Sequence, residues 1–283
     1  MNTVSLFNLV SLDCSRCVTG RYSTSFSSAV KLLHPDLRDP IHGIYGFVRL
    51  ADEIVDTFHE YDKATLLDRF EADTWSAIRE GISLNPILQG FQLSVNRFHI
   101  EERLVAAFFK SMRTDLDKKE WSSREELTEY IYGSAEVVGL MCLQVFCEGD
   151  SQRAKALSKG AMALGAAFQK INFLRDLRDD VEGLNRQYFP GISFTRFSPE
   201  AKTSIEADIL QDLKEAYEGI EKLPSKARFG VLVAYRYYFC LFRKIRSLPP
   251  EVLMRKRVRV PNFQKGLLLL RTALGVGQIK LIP

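Results

Sequence analysis

Apolar residues recur at steps of three and four along almost the whole chain. No stretch keeps the strict alternation and β-branched clustering of a strand. The pattern predicts an all-α protein. Asp39-Pro40 reads as an N-cap followed by proline at the first helical position, and Asn85-Pro86 and Ser198-Pro199 repeat the signal. Ser123-Arg124-Glu125-Glu126 reads as a capping box opening a helix that runs past Tyr130 to Cys147. Val4 to Val18 predicts an amphipathic first segment. Asp62 to Gly81 and Glu101 to Leu116 read as ordinary core helices, with Phe70, Trp75, Phe108 and Phe109 as packing residues and Asp115-Leu116-Asp117 as a solvated helix end. Ser151 to Val181 predicts a long helix stopped near Gly183, and Ser198 to Leu223 with Pro224 to Arg246 a helical hairpin. No linker of biased composition interrupts these elements, so residues 1–283 are expected to form one domain.

Two of the predicted helices carry acids on a single stripe. At about 100° per residue, Gln169, Asn172, Asp176 and Asp180 share one face, and so do Tyr45, Arg49, Asp52 and Asp56. Carboxylates one turn apart repel each other, so each pair calls for a cation unless it is simply a solvated face. Two such pairs together suit Mg²⁺, which prefers hard oxygen ligands and binds one or two carboxylates along with substrate phosphates. On the helix after Ser123, the stripe Tyr130, Ser134, Val137, Met141 is apolar apart from two hydroxyls and would suit a hydrocarbon. Glu136 lies about 120° from Tyr130 round that helix and is expected to face a neighbouring helix. The small-residue run from Gly160 to Ala167 permits either close helix approach or room for a ligand.

Asp52-Glu53-x-x-Asp56 and Asn172-Phe173-Leu174-Arg175-Asp176-x-x-x-Asp180 resemble the two aspartate-rich motifs of the squalene/phytoene synthase family. Ser23-Thr24-Ser25-Phe26, Tyr130 to Ala135 and Arg186-Gln187-Tyr188-Phe189-Pro190 continue the resemblance in the family's order. The resemblance implies a helical bundle around a central cavity and head-to-head condensation of two prenyl diphosphates through a cyclopropylcarbinyl diphosphate. It implies metal ligation by Asp52, Asp56, Asn172, Asp176 and Asp180, with Mg²⁺ or alternatively Mn²⁺. Arg49 and Tyr130 join the four aspartates as expected catalytic residues. Arg21, Ser23, Ser25, Phe26, Tyr45, Gln169, Phe173, Arg186, Tyr188, Tyr238 and Arg257 are expected to bind substrate, Phe26, Phe173 and the Tyr130 helix supplying aromatic or apolar wall. The family's basic residue after the first serine is Thr24 here, with Arg21 as a substitute, and its usual glycine is Glu136.

Composition narrows the partners. A net charge of +4, with 46% hydrophobic residues, gives no basic excess that would argue for nucleic acid. Five cysteines, including Cys14 and Cys17 as one C-x-x-C, have no second pair at zinc-site spacing and read as reduced thiols of a cytoplasmic protein. The N-terminal residues do not read as a signal or transit peptide, and no apolar run is long enough to span a bilayer. Arg255-Lys256-Arg257-Val258-Arg259-Val260 reads either as closing the diphosphate site or as a surface peripheral on the inner face of the cytoplasmic membrane. Without a strand, G-x-G-x-x-G and helix, NADPH is not expected, which favours phytoene as the product. Squalene or dehydrosqualene synthesis from farnesyl diphosphate and a non-catalytic assembly role are the alternatives. Val30 and His42, the latter about 15 Å along the helix from Asp52, are the expected pocket floor and favour a C20 substrate. The oligomeric state is left open.

Overall fold

A computed structural model describes residues 3–191 and 197–273, apart from the Asn262 side chain. Its helices are α1 (Thr3–Tyr22), α2 (Thr24–Val30), α3 (Pro35–Asp56), α4 (Lys63–Glu80), α5 (Pro86–Phe98), α6 (Glu102–Asp117) and α7 (Arg124–Ile131). A π-helical turn (Tyr132–Glu136) leads into α8 (Val137–Phe146), α9 (Ser151–Leu184), α10 (Pro199–Lys222), α11 (Ser225–Arg246), α12 (Pro250–Leu253) and α13 (Asn262–Ala273). No strand occurs among the described residues, in keeping with the all-α expectation. Nor is any helix among them long and apolar enough to cross a membrane.

The expected caps hold at Asn85, Ser123 and Ser198, whose side chains accept backbone N–H groups of the first turn. The start of α3 differs. Pro35 satisfies the proline preference one turn earlier, behind His34, and Pro40 lies inside the helix at the cost of one backbone bond. Asp39, relieved of capping, holds Arg16 of α1 at 2.7 and 2.9 Å. At the other end of the long helix, Gly183 is still helical. Asn185 takes the left-handed conformation (φ 52°) that terminates α9.

Phe47 of α3 anchors one half of the core. It stacks on Phe91 at 3.9 Å and meets Phe70, Phe108 and Phe109 within 5.6 Å, tying α3 to α4, α5 and α6. The amphipathic first helix packs the opposite way to its apolar pattern. Its buried stripe is Ser11, Ser15 and Thr19, each hydroxyl bonded to the carbonyl four residues back, whereas Val4, Leu6, Leu9 and Val10 are exposed. Small hydroxyl side chains win because the backbones of α1, α3 and α5 come too close for larger ones. A Cβ on Gly43 would sit 2.6 Å from the Gly90 carbonyl oxygen.

The helix predicted from Ser123 to Cys147 is broken by the π-helical turn. The extra residue in that turn rotates everything after it relative to Tyr130. Val137 and Met141 therefore enter the core, and the stripe that continues from Ser134 is Val138, Gly139 and Cys142. The small-residue run of α9 serves both uses left open: Gly160 meets Gly219 of α10 backbone to backbone, and both line a cavity.

His42 is buried on the α1 side of α3, and its Nδ1 has no hydrogen-bond partner. Burial lowers its pKa to about 4; Asp39 opposes this and Arg16 and Lys31 reinforce it. The unfolded imidazole takes up its proton near pH 6.5 and the folded one only near 4, so stability is present above pH 6.5 and is lost as pH falls towards 4. Between pH 7 and pH 5 this group should cost the protein about 2 kcal/mol. Urea unfolding at the two pH values should show a loss about that much smaller in His42→Asn than in the parent. Equal losses would overturn the assignment.

Candidate active site

Two helices build the cavity in the same way. On α3, Ile41, Ile44, Tyr45 and Val48 form a stripe within about 100° of arc, and Asp52 extends it by about one turn. On α9, Leu157, Ala161, Leu164, Phe168 and Asn172 form a second stripe that Asp176 extends. Each stripe runs from apolar to acidic towards the C-terminal end of its own helix. Between them lies a cavity of about 290 Å³, closed laterally by α2, α8, α10 and α11. From Asn172 to Leu157 it follows α9 for roughly 22 Å. Val30 lines it as expected. His42, about 100° round α3 from Ile41, does not, which corrects its place at the pocket floor.

At the polar end, Gln169 and Asn172 reach the cavity, and Phe26 stacks on Tyr45 at 4.9 Å. Ser23 caps α2 and also hydrogen-bonds the Tyr45 hydroxyl. Tyr238 stacks on Phe168 at 3.7 Å and hydrogen-bonds Arg175. Arg21 is exposed at the end of α1 and Ser25 is half-buried on α2; neither lines the cavity. Asn172 Oδ1 is buried without a hydrogen-bond partner, as is the Ser134 hydroxyl oxygen, which also lines the cavity.

The acids crowd above this end. Burial, then the neighbouring Asp56, pushes the Asp52 carboxyl up to about 7, with Arg49 opposing. Burial, then Asp176, pushes Asp180 up to about 7, and Asp56 of α3 adds to the effect from across the site. The two pairs therefore feel each other. Both lie near helix C-termini, where orphan carbonyls add about half a negative charge per helix. Arginines relieve part of the repulsion. Arg186 Nη1 lies 2.8 Å from Asp56 Oδ1, Arg257 Nε 2.7 Å from Asp176 Oδ1, and Arg175 Nε 2.9 Å from the same oxygen. Arg49 bonds Glu53, sits 4.0 Å from Asp52 and places its guanidinium 4.3 Å over the Tyr22 ring.

Behind the acids, Tyr188 stacks on Phe173 at 3.8 Å and lies 4.9 Å from Trp121 and 5.7 Å from Tyr130. Phe173, Tyr188 and Tyr130 therefore form a buried layer beneath the acids, off the cavity wall, which corrects Phe173 as a wall aromatic. The wall aromatics are Phe26, Tyr45, Phe146, Phe168 and Tyr238. Glu136 faces Lys170 and Asp212 of the neighbouring helices, as expected, and burial followed by Asp212 raises its carboxyl to about 7.

Asp115, read from sequence as a solvated helix end, is in fact 4% exposed. It hydrogen-bonds Tyr130, and burial pushes its carboxyl up to about 7 with Arg186 opposing. The signal for it was present. Asp115 falls on the buried stripe of Leu104, Phe108 and Ser111, and an acid on an apolar stripe is the informative exception.

These residues fit a hard divalent cation. Asn172 Oδ1 is an unsatisfied oxygen close to Asp52 and Asp180, whose carboxyl pKa values are raised by burial and then by the neighbouring acid, so that a cation there would be favoured. Among the described residues no three acidic, histidine or cysteine side chains converge into a ready cage. A two-sided bed of this kind suits Mg²⁺ held partly by water and phosphate.

A family model described as squalene/phytoene synthase matches residues 19–264. A 15-cis-phytoene synthase from Paracoccus sp. is 27% identical over 87% of this chain and 86% of its own length. Phytoene synthase 3, chloroplastic, from Zea mays is 34% identical over 88% of this chain, which spans 63% of that protein. Among solved structures, a dehydrosqualene synthase in complex with ligand superposes with a TM-score of 0.81 at 20% identity, covering 95% of this chain and 97% of that one. Squalene synthase HpnC from Alicyclobacillus acidocaldarius gives 0.74 at 20% identity, covering 84% and 93%. At those identities the structures speak for the fold, while the family match covers most of the chain: this protein belongs to the squalene/phytoene synthase family of prenyltransferases.

Proposed function

We propose that the chain condenses two geranylgeranyl diphosphates head to head into phytoene. The observation that carries this reading is the apolar cavity opening directly beneath two facing acid pairs. Its length supports the C20 substrate. At about 1.2 Å of advance per bond, an extended C20 chain spans roughly 18 Å and a C15 chain roughly 13 Å, against roughly 22 Å along α9. The relatives named phytoene synthase point the same way.

In this reading Asp52, Asp56, Asn172, Asp176 and Asp180 hold Mg²⁺, or Mn²⁺ in its place. When bound, the ions act as Lewis acids on the diphosphate leaving group. Arg49, Arg175 and Arg257 offer planar donors to diphosphate oxygens, and Gln169, Ser23 and Tyr45 offer further hydrogen bonds at the mouth. The allylic cation left behind must meet no water. Phe26, Phe168 and Tyr238 face it with π-clouds while the aliphatic wall excludes solvent. Tyr130 works from beneath the bed through Asp115 and Arg186. Loss of a proton from the rearranged cation gives phytoene without a reductant.

Asp52→Asn and Asp176→Asn should each lower turnover by at least about 100-fold, because each removes a charged ligand from the developing leaving-group charge. The melting temperature of Asp52→Asn without Mg²⁺ should match or exceed the parent's, since a repulsion with Asp56 is relieved, whereas Asp176→Asn also gives up its pairs with Arg175 and Arg257. Near-parental rates in either variant at saturating Mg²⁺ would sink the metal-bed reading.

Competition between C15 and C20 diphosphates, with and without NADPH, tests the substrate. C20 should win and NADPH should change nothing, whereas preference for C15 or an NADPH-dependent product would overturn the phytoene reading. Val30→Phe, which fills the cavity that Val30 lines, should shift use towards C15 by about tenfold, a cost of about 1–3 kcal/mol falling on the longer chain.

The apolar product has to leave into lipid, and we propose that α13 meets the bilayer. Phe263, Leu267 and Leu270 form one exposed stripe on it, preceded by exposed Arg255, Lys256 and Arg259. Replacing these three basic residues by Gln, and leaving Arg257 on Asp176, should weaken sedimentation with anionic vesicles at low salt by about tenfold or more. Equal partition of variant and parent would refute the contact.

A further inference from the structure

Arg186 is 3% exposed, an unusual place for a guanidinium, and two carboxylates flank it. On one side Nη1 bonds Asp56 Oδ1 at 2.8 Å. On the other, Nη2 donates to the Asp115 backbone carbonyl at 2.8 Å, and the Asp115 carboxylate lies 3.9 Å from Nη1. Asp115 comes from the last turn of α6, and its side chain is anchored from behind by the Tyr130 hydroxyl. The backbone fixes the arrangement further. Arg186 N–H donates to the Asp180 carbonyl at 2.9 Å and Gln187 N–H to the Lys119 carbonyl at 2.8 Å, so the loop after α9 is fastened to the chain after α6.

The inner carboxylate offsets part of the guanidinium's positive field and restrains it from shifting further onto Asp56. Without it, that field acts uncompensated on Asp56 and, beyond it, on Asp180, the groups that must also take a metal ion. We infer that Asp115 is a positioning residue: it holds Arg186 back so that the guanidinium orients Asp56 without competing with the divalent cation for it. The inference rests on the metal-bed reading above and adds to it a residue that touches neither metal nor substrate. It also gives the Tyr130 hydroxyl a task away from the cavity, namely to keep the Asp115 side chain turned towards Arg186.

The test is Mn²⁺ binding to the full chain, followed by electron paramagnetic resonance with inorganic pyrophosphate present and no prenyl substrate. Asp115→Asn should weaken Mn²⁺ binding on the order of tenfold, as loss of a partner behind a ligand does, with KM for the prenyl diphosphate at saturating metal changing far less. In an Arg186→Gln background the same substitution should have no further effect, because Asp115 acts through Arg186. Asp115→Glu, which keeps the charge and can close the 3.9 Å gap, should bind Mn²⁺ at least as tightly as the parent. If circular dichroism shows Asp115→Asn unfolded, the Glu variant decides: tight binding supports the inference, and a tenfold loss overturns it. Unchanged affinity in Asp115→Asn, or an equal loss with Arg186 already removed, also overturns it. A parent protein that binds no Mn²⁺ with pyrophosphate would instead sink the metal-bed reading.

Discussion

Three helices end at the same place, and one buried guanidinium makes that tolerable. The C-terminal turns of α3, α6 and α9 bring their negative ends together with Asp56, Asp115 and Asp180. Arg186 bonds a carboxylate from the first, a backbone carbonyl from the second and a backbone carbonyl from the third. Burial works against its charge, but the carboxylate of Asp115, then Tyr188 and Asp56, outweigh that and hold its pKa above the ordinary arginine value. Removing one partner from such a group leaves a buried charge uncompensated, typically a loss of about 3–5 kcal/mol. Beside it the rings of Trp121, Tyr130, Phe173 and Tyr188 form one buried layer, and Tyr188 hydrogen-bonds Arg186.

From that junction the chemistry separates by depth along two helices. α3 and α9 both change from aliphatic to acidic towards their C-termini, so one stripe on each helix serves as cavity wall at one end and as an acidic rim at the other. The boundary falls at Tyr45 and Val48 on α3 and at Asn172 on α9. Charge is thus confined to the mouth, and the helix dipoles reinforce it there. In the function proposed above, a bare diphosphate would meet carboxylates and negative helix ends together, and a cation and the arginines would have to accompany it.

Much of this was legible in the sequence, and the failures share a cause. Periodicity and caps gave the helical class, and most helix starts, because those signals are local. The facing acid pairs were legible because a self-repelling pair one turn apart stands out against a partly apolar helix. Asp115 was misread because Asp117 follows it closely and suggested a solvated end, although its step from Phe108 and Ser111 put it on the buried stripe. His42 was misplaced by distance along the helix without regard to the angle round it. Phe173 was taken for a wall residue because a motif gives position along a chain and not the direction of a side chain. On α1 the apolar pattern gave the wrong face, since backbone proximity at Gly43 and Gly90 was decided by helices distant in sequence.

The π-helical turn at Tyr132–Glu136 works as a frame shift in three dimensions. Upstream of it, α7 is read in one register, with Leu127, Tyr130 and Ile131 inward; downstream, α8 is read in another, with Val137 and Met141 inward and Val138, Gly139 and Cys142 on the wall. A single-residue deletion within the turn would restore a continuous α-helix and turn α8 by about 100°. That one event would exchange wall for core along the whole of α8 without altering any residue in it. Cavity shape in this protein is therefore encoded partly by a count of residues, and two sequences identical across α8 could enclose differently shaped spaces.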